Sequence, residues 1–228
     1  MQTDMTVGKP MKMLLNFTIP VFLGNVFQQL YSMADAVIVG KFVGTKGLAA
    51  VGATGTITFL IIGFLMGVTT GVTVLTSQKF GAGRMDEMRK TVGNAAILSA
   101  VIAVVMTAVS MLGMHRLLVF MHTPEDIFDG AYGYIMIICA GIFTQVLYNL
   151  VSSILRALGN SKTPLYFLIL AAGLNIVLDL VFIIFFHWGA PGAAWATVIS
   201  QGVSGVLCLI YMWKAVPELK MKKEDWYF

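Results

Sequence analysis

Long apolar segments, separated by short polar and basic gaps, dominate the chain. Six of them are long enough to cross about 30 Å of hydrocarbon as helices that rise about 1.5 Å per residue. They run over residues 14–40, 48–75, 92–113, 131–155, 165–186 and 193–213. The pattern predicts an all-α integral membrane protein, in which residues 1–213 form a single unit of six transmembrane helices.

The composition supports this prediction. The chain has 228 residues, of which 58% are hydrophobic and only 11% are charged, and its mean hydropathy is +0.85. A net charge of +4 is compatible with nucleic-acid binding, but the basic residues lie in the gaps between apolar segments, so we expect no nucleic-acid partner. Cys139 and Cys208 fall within predicted spans and have no metal-site spacing, so we expect no cofactor and no structural metal.

Lys and Arg residues concentrate on one side of the predicted membrane. The opposite side holds only Lys41, Lys46 and Arg116, together with several acidic residues. The richer side carries Lys9, Lys12, Lys79, Arg84, Arg89, Lys90, Arg156, Lys162, Lys214, Lys220, Lys222 and Lys223. The positive-inside rule therefore predicts that both termini are cytoplasmic and that residues 214–228 are a basic cytoplasmic tail. We expect a multi-pass protein of the bacterial plasma membrane.

Two polar side chains interrupt the fifth apolar segment. Asn175 and Asp179 are four residues apart, so on a helix they share one face. A carboxylate within hydrocarbon costs about 3 kcal/mol or more, and such residues usually face a bundle interior or a wet cavity. Asp179 is therefore a candidate functional residue, and Asp35, the other acidic residue inside an apolar segment, is its predicted partner.

Helix rise places Asp35, Asp179 and Thr197 in the outer half of the membrane. We expect them to meet together with Asn175, because a buried carboxylate needs polar neighbours. Two carboxylates, an amide oxygen and a hydroxyl suit Na⁺ or a held proton. Since two close carboxylates cannot both ionise cheaply, the pair would exchange a proton or a cation. The alternative is a polar network that only fastens helices together.

Polar residues also recur at helical spacing within the first, fourth and sixth spans. Lipid-facing helices lack such stripes, so these residues are candidates for the lining of a cavity, although hydrogen bonding between helices explains the fourth-span stripe equally well. The candidates are Asn25, Gln28, Gln29, Ser32, Gln145, Tyr148, Asn149 and Gln201.

Small or rigid residues mark the backbones of the first two spans. Pro20 removes a helical hydrogen bond, which predicts either a hinge or a static bend. Gly63, Gly67 and Gly71 repeat at intervals of four, a pattern that favours close packing by another helix.

An ordered set of short motifs, spread over nearly the whole chain, resembles the multidrug and toxic compound extrusion (MATE) family. The motifs are Ile19-Pro20-Val21, residues 34–40 (Ala-Asp-Ala-Val-Ile-Val-Gly), 48–53 (Leu-Ala-Ala-Val-Gly-Ala), 80–83 (Phe-Gly-Ala-Gly), 156–159 (Arg-Ala-Leu-Gly), 162–164 (Lys-Thr-Pro), Asn175 with Asp179, and 192–197 (Gly-Ala-Ala-Trp-Ala-Thr). The resemblance implies a cation-coupled antiporter that exports organic, often cationic compounds, with Na⁺ or H⁺ as the coupling ion. It also implies that this chain is not an enzyme.

Members of that family have two six-helix lobes, and the ion site of the first lobe maps by resemblance onto Asp35, Asn175, Asp179 and Thr197. Pro20 matches the proline around which the first helix is proposed to bend. This chain resembles the N-terminal lobe alone, so residues 214–228 are a tail or an inter-lobe linker. A fragment, a half-transporter that pairs as a homodimer, and one of two separately encoded lobes all remain open, and each implies a second six-helix lobe as partner besides lipid and substrate.

Two other functions compete with cation-coupled export. A related flippase for lipid-linked oligosaccharides shares the architecture but usually carries more basic residues in its central cavity, and no span here has Lys or Arg in its core. An intramembrane aspartyl protease needs a Gly-x-Gly-Asp context, which neither Asp35 nor Asp179 has. A lobe that transports nothing by itself is the remaining alternative.

Overall fold

A computed structural model describes residues 10–219, and this part of the chain contains helices and no strands. The predictions for Lys9, Lys220, Lys222 and Lys223, and for residues 220–228 of the tail, concern parts of the chain outside the described residues. The helices are α1 Pro10–Phe42, α2 Thr45–Gly81, α3 Met85–Phe120, α4 Glu125–Ala140, α5 Ile142–Ala157, α6 Lys162–Leu180, a π-helical turn Val181–Phe185, α7 Gly189–Ala215 and a short 3₁₀ turn Pro217–Leu219.

Five of these helices are individually long and apolar enough to cross a membrane: α1, α2, α3, α6 with its π-helical turn, and α7. The pair α4 and α5 forms a sixth span when it is counted as one helix bent by 46°. The prediction of an all-α membrane protein is thus confirmed. The helices extend beyond the apolar segments at most of their ends, because helical hydrogen bonding continues into the polar flanks.

The fourth predicted span, residues 131–155, is not one straight helix, because the helix is interrupted at Gly141. An added Cβ at this position would lie 2.2 Å from Cγ2 of Val198 on α7. The backbone of Gly141 has φ −83 and ψ 2, which any residue adopts. The close approach of α7 therefore explains the glycine here.

The fifth predicted span, residues 165–186, also departs from a plain α-helix. It continues past Leu180 as a π-helical turn, a feature that is often found next to functional sites. The turn brings Phe182 and Ile183 against the start of α7, where an added Cβ on Gly192 would be 3.2 Å and 3.4 Å from them.

Helix α7 is the centre of the bundle. More than half of its most apolar window, 56%, is buried inside the protein, compared with 11% for α1. Its residues join two apolar clusters: Ala194 and Val198 pack with α2, α3, α4 and α5 in one, and Cys208 packs with the opposite ends of α2, α3 and α5 in the other. Helix α7 is therefore held much more firmly in the bundle than α1.

The outer faces of α2 and α3 are apolar and exposed. Phe59, Leu112 and Phe120 are each at least 75% exposed, as expected for side chains that meet lipid or a partner. The three glycines for which close packing was predicted, Gly63, Gly67 and Gly71, have no neighbour within 4 Å of an added Cβ. Within residues 10–219, that prediction is not met.

Candidate functional site

Two polar residues of α6 lie in the interior of the bundle. Asp179 has no exposed surface and Asn175 is 1% exposed. They are one helical turn apart, so they occupy the same face, and this face packs against α7. A carboxylate in such a position requires either a proton, a cation or hydrogen-bond donors close by.

Hydrogen bonds connect α6 to both α7 and α1 at this level. Asn175 Nδ2 donates to Thr197 Oγ1 over 3.4 Å, and Thr197 Oγ1 donates to Asp35 Oδ2 over 3.3 Å. Both distances exceed the usual values for such bonds. The structure brings together the four residues that the sequence placed at one depth.

Four oxygens at this site are enclosed and have no hydrogen-bond donor among the described residues. They are Oδ1 of Asp35, Oδ1 of Asn175, and both carboxyl oxygens of Asp179. The Asp35 and Asp179 carboxyls are near enough to share a hydrogen bond if one of them carries a proton. When both are ionised, no protein group compensates Asp179. The site is thus chemically suited to a proton or to a hard cation.

A cavity of about 140 Å³ opens beside Asp35 and Thr197, between α1, α2, α4, α5 and α7. Its volume is enough for several water molecules, and its walls are largely polar. Six of the eight predicted cavity residues line it: Gln28, Ser32, Gln145, Tyr148, Asn149 and Gln201. We call this cavity the acid chamber.

Asn25 and Gln29, the other two predicted cavity residues, lie outside the acid chamber. Asn25 borders a smaller cavity of about 30 Å³ with Pro20, Gln28 and Arg156, and Gln29 lies on the exposed side of α1. The reason is angular: Gln28 and Gln29 are successive residues of one helix, so their side chains point about 100° apart. A stripe that includes both covers more than one face.

Two of the chamber residues also make structural hydrogen bonds. Tyr148 donates from its hydroxyl to the carbonyl of Pro164 over 3.0 Å, which ties α5 to α6. Asn149 Nδ2 donates to the carbonyl of Gln145 within α5, over 2.9 Å. The polar stripe of the fourth span therefore lines a cavity and fastens helices at the same time.

Three further residues line the chamber, and sequence reasoning did not place them at the acid site. Tyr31 and Tyr134 lie within electrostatic reach of both Asp35 and Asp179, and Thr58 contributes a buried hydroxyl from α2 without a hydrogen-bond partner. The sequence carried no clear signal for Tyr134, because the helix break at Gly141 separates it from the polar stripe of α5.

Pro20 is buried within α1, which runs without interruption from Pro10 to Phe42. It borders the 30 Å³ cavity, one side of which is formed by the start of α6. The role of Pro20 as a hinge remains a prediction.

The fold and the site together define a multi-pass α-helical membrane protein with two acids in its interior. The acids lie on α1 and α6, and a threonine of α7 lies between these helices. The family model MatE matches residues 20–181. The chain belongs to this family, which confirms the resemblance seen in its motifs.

Individual relatives agree with this assignment. A probable multidrug resistance protein of Bacillus subtilis (strain 168), YpnP, is 33% identical over 211 residues, which cover 92% of this chain and 47% of YpnP. A second protein of that organism, YoeA, also named a probable multidrug resistance protein, is 30% identical over 91% of this chain and 46% of its own length.

A solved structure of a transporter of the MOP superfamily from Pyrococcus furiosus superposes with a TM-score of 0.89 at 28% identity. The superposition covers 97% of this chain and 49% of that one. The chain therefore spans about half the length of the relatives it matches.

Proposed function

We propose that this chain is one lobe of a cation-coupled antiporter that exports organic, often cationic compounds from a bacterial cell, with Na⁺ or H⁺ as coupling ion. The observation that carries the proposal is the set of four enclosed oxygens without donors, on Asp35, Asn175 and Asp179. Burying ionised carboxylates without hydrogen-bond donors or a cation costs so much free energy that a purely structural role does not explain them.

The arrangement of these groups suits ion exchange. A proton on either carboxyl, or a Na⁺ held by carboxylate, amide and hydroxyl oxygens, removes the charge imbalance. Both ligands compete for the same oxygens, so the loaded state depends on the ion concentrations on the two sides. The chamber beside the acids has room for several water molecules that could hydrate the ion.

The size of the acid chamber bears on the substrate. Pockets for drug-sized ligands usually measure about 300–1,000 Å³, whereas the chamber measures about 140 Å³. A substrate site for organic compounds that includes the acid chamber therefore needs walls beyond this lobe. Among the described residues, the chamber offers a ligand the Asp35 carboxylate rather than Lys or Arg, which favours an organic cation over a pyrophosphate-linked sugar.

A second six-helix lobe is the expected source of those walls. The relatives are about twice as long as this chain, and the exposed α2 face around Gly63, Gly67 and Gly71 offers a surface on which another helix can approach closely. The second lobe is the remainder of a longer protein, a separately encoded chain, or another copy of this one.

Ion binding by the purified full chain in detergent tests the proposal without requiring transport. Calorimetric titration with Na⁺, together with measurement of protons released, is expected to show one binding event. Asp179→Asn is expected to weaken it by at least about 100-fold, because it removes one charge of a buried pair. Asp129→Asn, which neutralises an exposed carboxylate, is the matched control and should leave binding unchanged.

Transport is the second arm of the test. The chain is reconstituted into proteoliposomes, alone and with a second lobe, and uptake of a fluorescent organic cation is followed under a sodium or a pH gradient. An Asp179→Asn protein that binds ions and transports like its parent would refute the ion role.

A further inference from the structure

A second large cavity lies far from the acids, at the end of the bundle where α1 and α6 begin and α7 ends. It measures about 530 Å³, against 140 Å³ for the acid chamber. Met13, Phe17 and Tyr211 form apolar and aromatic walls, and the α5–α6 turn, residues 158–161, forms the polar side. We call it the terminal cavity.

The polar side of the terminal cavity is a rigid turn. Asn160 Oδ1 accepts the backbone N–H of Thr163 over 3.1 Å, and Asn160 Nδ2 donates to Thr163 Oγ1 over 2.9 Å. This capping interaction fixes the first turn of α6. Gly159 makes the turn possible with φ +80, a conformation that other residues rarely adopt.

Ser161 points to a ligand in this cavity. It is 94% buried, given a relative exposure of 6%, and it lines the terminal cavity. Ser161 is the N-cap residue of α6 and makes no side-chain capping hydrogen bond, which leaves its hydroxyl available to a ligand. A hydroxyl beside the N-terminus of a helix is a ready donor to an anion.

The charge around this hydroxyl is positive. Lys162 lines the same cavity, and Arg156 lines the adjoining 30 Å³ cavity together with Ser161. The ion pairs found in residues 10–219 involve neither of these cations. The partial positive charge of the α6 N-terminus adds to theirs.

We propose that the terminal cavity binds the phosphate headgroup of an anionic membrane lipid. The phosphate lies against Lys162 and Ser161, and an acyl chain follows the apolar wall that Met13 and Phe17 form. Basic pockets between transmembrane helices, at the ends of the apolar spans, are where such headgroups bind. Tyr166 and Tyr211, which border the cavity, are typical of this membrane depth.

Native mass spectrometry of the purified full chain, mixed with phosphatidylglycerol or with phosphatidylcholine, measures the binding. We expect retained phosphatidylglycerol and little phosphatidylcholine. Lys162→Gln should lower retention of phosphatidylglycerol about fivefold, the effect expected from one lysine near an anionic headgroup. Lys90→Gln removes an exposed lysine outside the cavity, at the same end of the bundle, and should leave retention unchanged.

Asn16→Trp provides an independent variant, because it fills the cavity from α1 without changing charge and should also lower retention. Millimolar inorganic phosphate should not displace the lipid. Equal retention of the two lipids, equal behaviour of Lys162→Gln and Lys90→Gln, or displacement by inorganic phosphate would each overturn the proposal. None of these readouts depends on ion coupling, so the proposed function stands or falls separately.

Discussion

Helices α1 and α7 each contribute one residue to the hydrogen bonds of the acid site, Asp35 and Thr197, yet the protein holds them very differently. Helix α7 is buried over 56% of its apolar window and α1 over 11%. Helix α7 contacts most of the other helices, whereas α1 packs mainly against α6. The acid site therefore has one fixed wall, formed by α7, and one loosely held wall, formed by α1.

This difference bears on how the site works. Segments with few buried apolar contacts open and shift at low free-energy cost. We therefore expect Asp35 on α1 to be withdrawn from the site more easily than Thr197 on α7. We predict that a change in the charge of the site moves α1, and four sets of variants test this comparison.

The largest expected effect is a loss of stability when the contact between Gly141 and α7, the fixed wall, is overpacked. Gly141→Ala places a methyl group 2.2 Å from Val198, and such overpacking costs about 1–3 kcal/mol. We expect the Tm of the protein in detergent to fall by several degrees. Gly24→Ala on α1, where the nearest atoms are 3.7 Å and 3.9 Å away, should leave the Tm nearly unchanged. Equal losses for the two variants would contradict the contrast between the walls.

The next largest effect is on ion affinity. Thr197→Val removes the hydroxyl that links Asn175 to Asp35 and leaves two buried polar groups without this partner. We expect the affinity for the coupling ion to fall about tenfold, measured by calorimetric titration. Ser200→Ala is the control, because the Ser200 hydroxyl donates only to the carbonyl of Ala196 in its own helix. If the two variants bind alike, the Thr197 hydroxyl is not a ligand.

A smaller effect is expected at Pro20, within the loosely held wall. Pro20→Ala restores a backbone hydrogen bond in α1 and stiffens it. If α1 moves, turnover in proteoliposomes should fall by a few-fold while ion affinity, which depends on groups more than two turns away, stays the same. An unchanged turnover would show that the proline bends α1 statically.

The smallest effect is expected at Gln29. This residue is exposed on the outer side of α1, so Gln29→Ala should change ion affinity and transport by less than about twofold. Its neighbour Gln28 lines the acid chamber, and Gln28→Ala should alter transport more. The reverse order would mean that the assembled transporter uses the other face of α1.

The four acid-site residues could be selected from the sequence because residue spacing and helix rise are enough to place them near one another. The four-residue spacing of Asn175 and Asp179 gave a common face, and helix rise gave a common depth with Asp35 and Thr197. Neither quantity depends on how the helices are arranged. Whether these residues bind an ion remains a prediction.

Tyr134 and the packing glycines show what sequence could not provide. The break at Gly141 separates Tyr134 from the polar stripe of α5, so a single helical phase does not connect them. Small residues permit close approach but do not say what lies opposite. Close contacts occur at Gly141, Gly202 and Gly205, whereas the regular glycines of α2 face outward, where none of the helices described within residues 10–219 reaches them.

The π-helical turn Val181–Phe185 follows Asp179 by two residues and holds one residue more than an α-helical turn of the same rise. In a plain α-helix, the direction of the Asp179 side chain and the position of the turn into α7 would depend on each other. Here the α-helical part of α6 sets the direction of the carboxylate, and the extra residue of the π-helical turn sets the position of the turn into α7 separately. The turn into α7 can accordingly differ in length among related sequences while the acid keeps its direction.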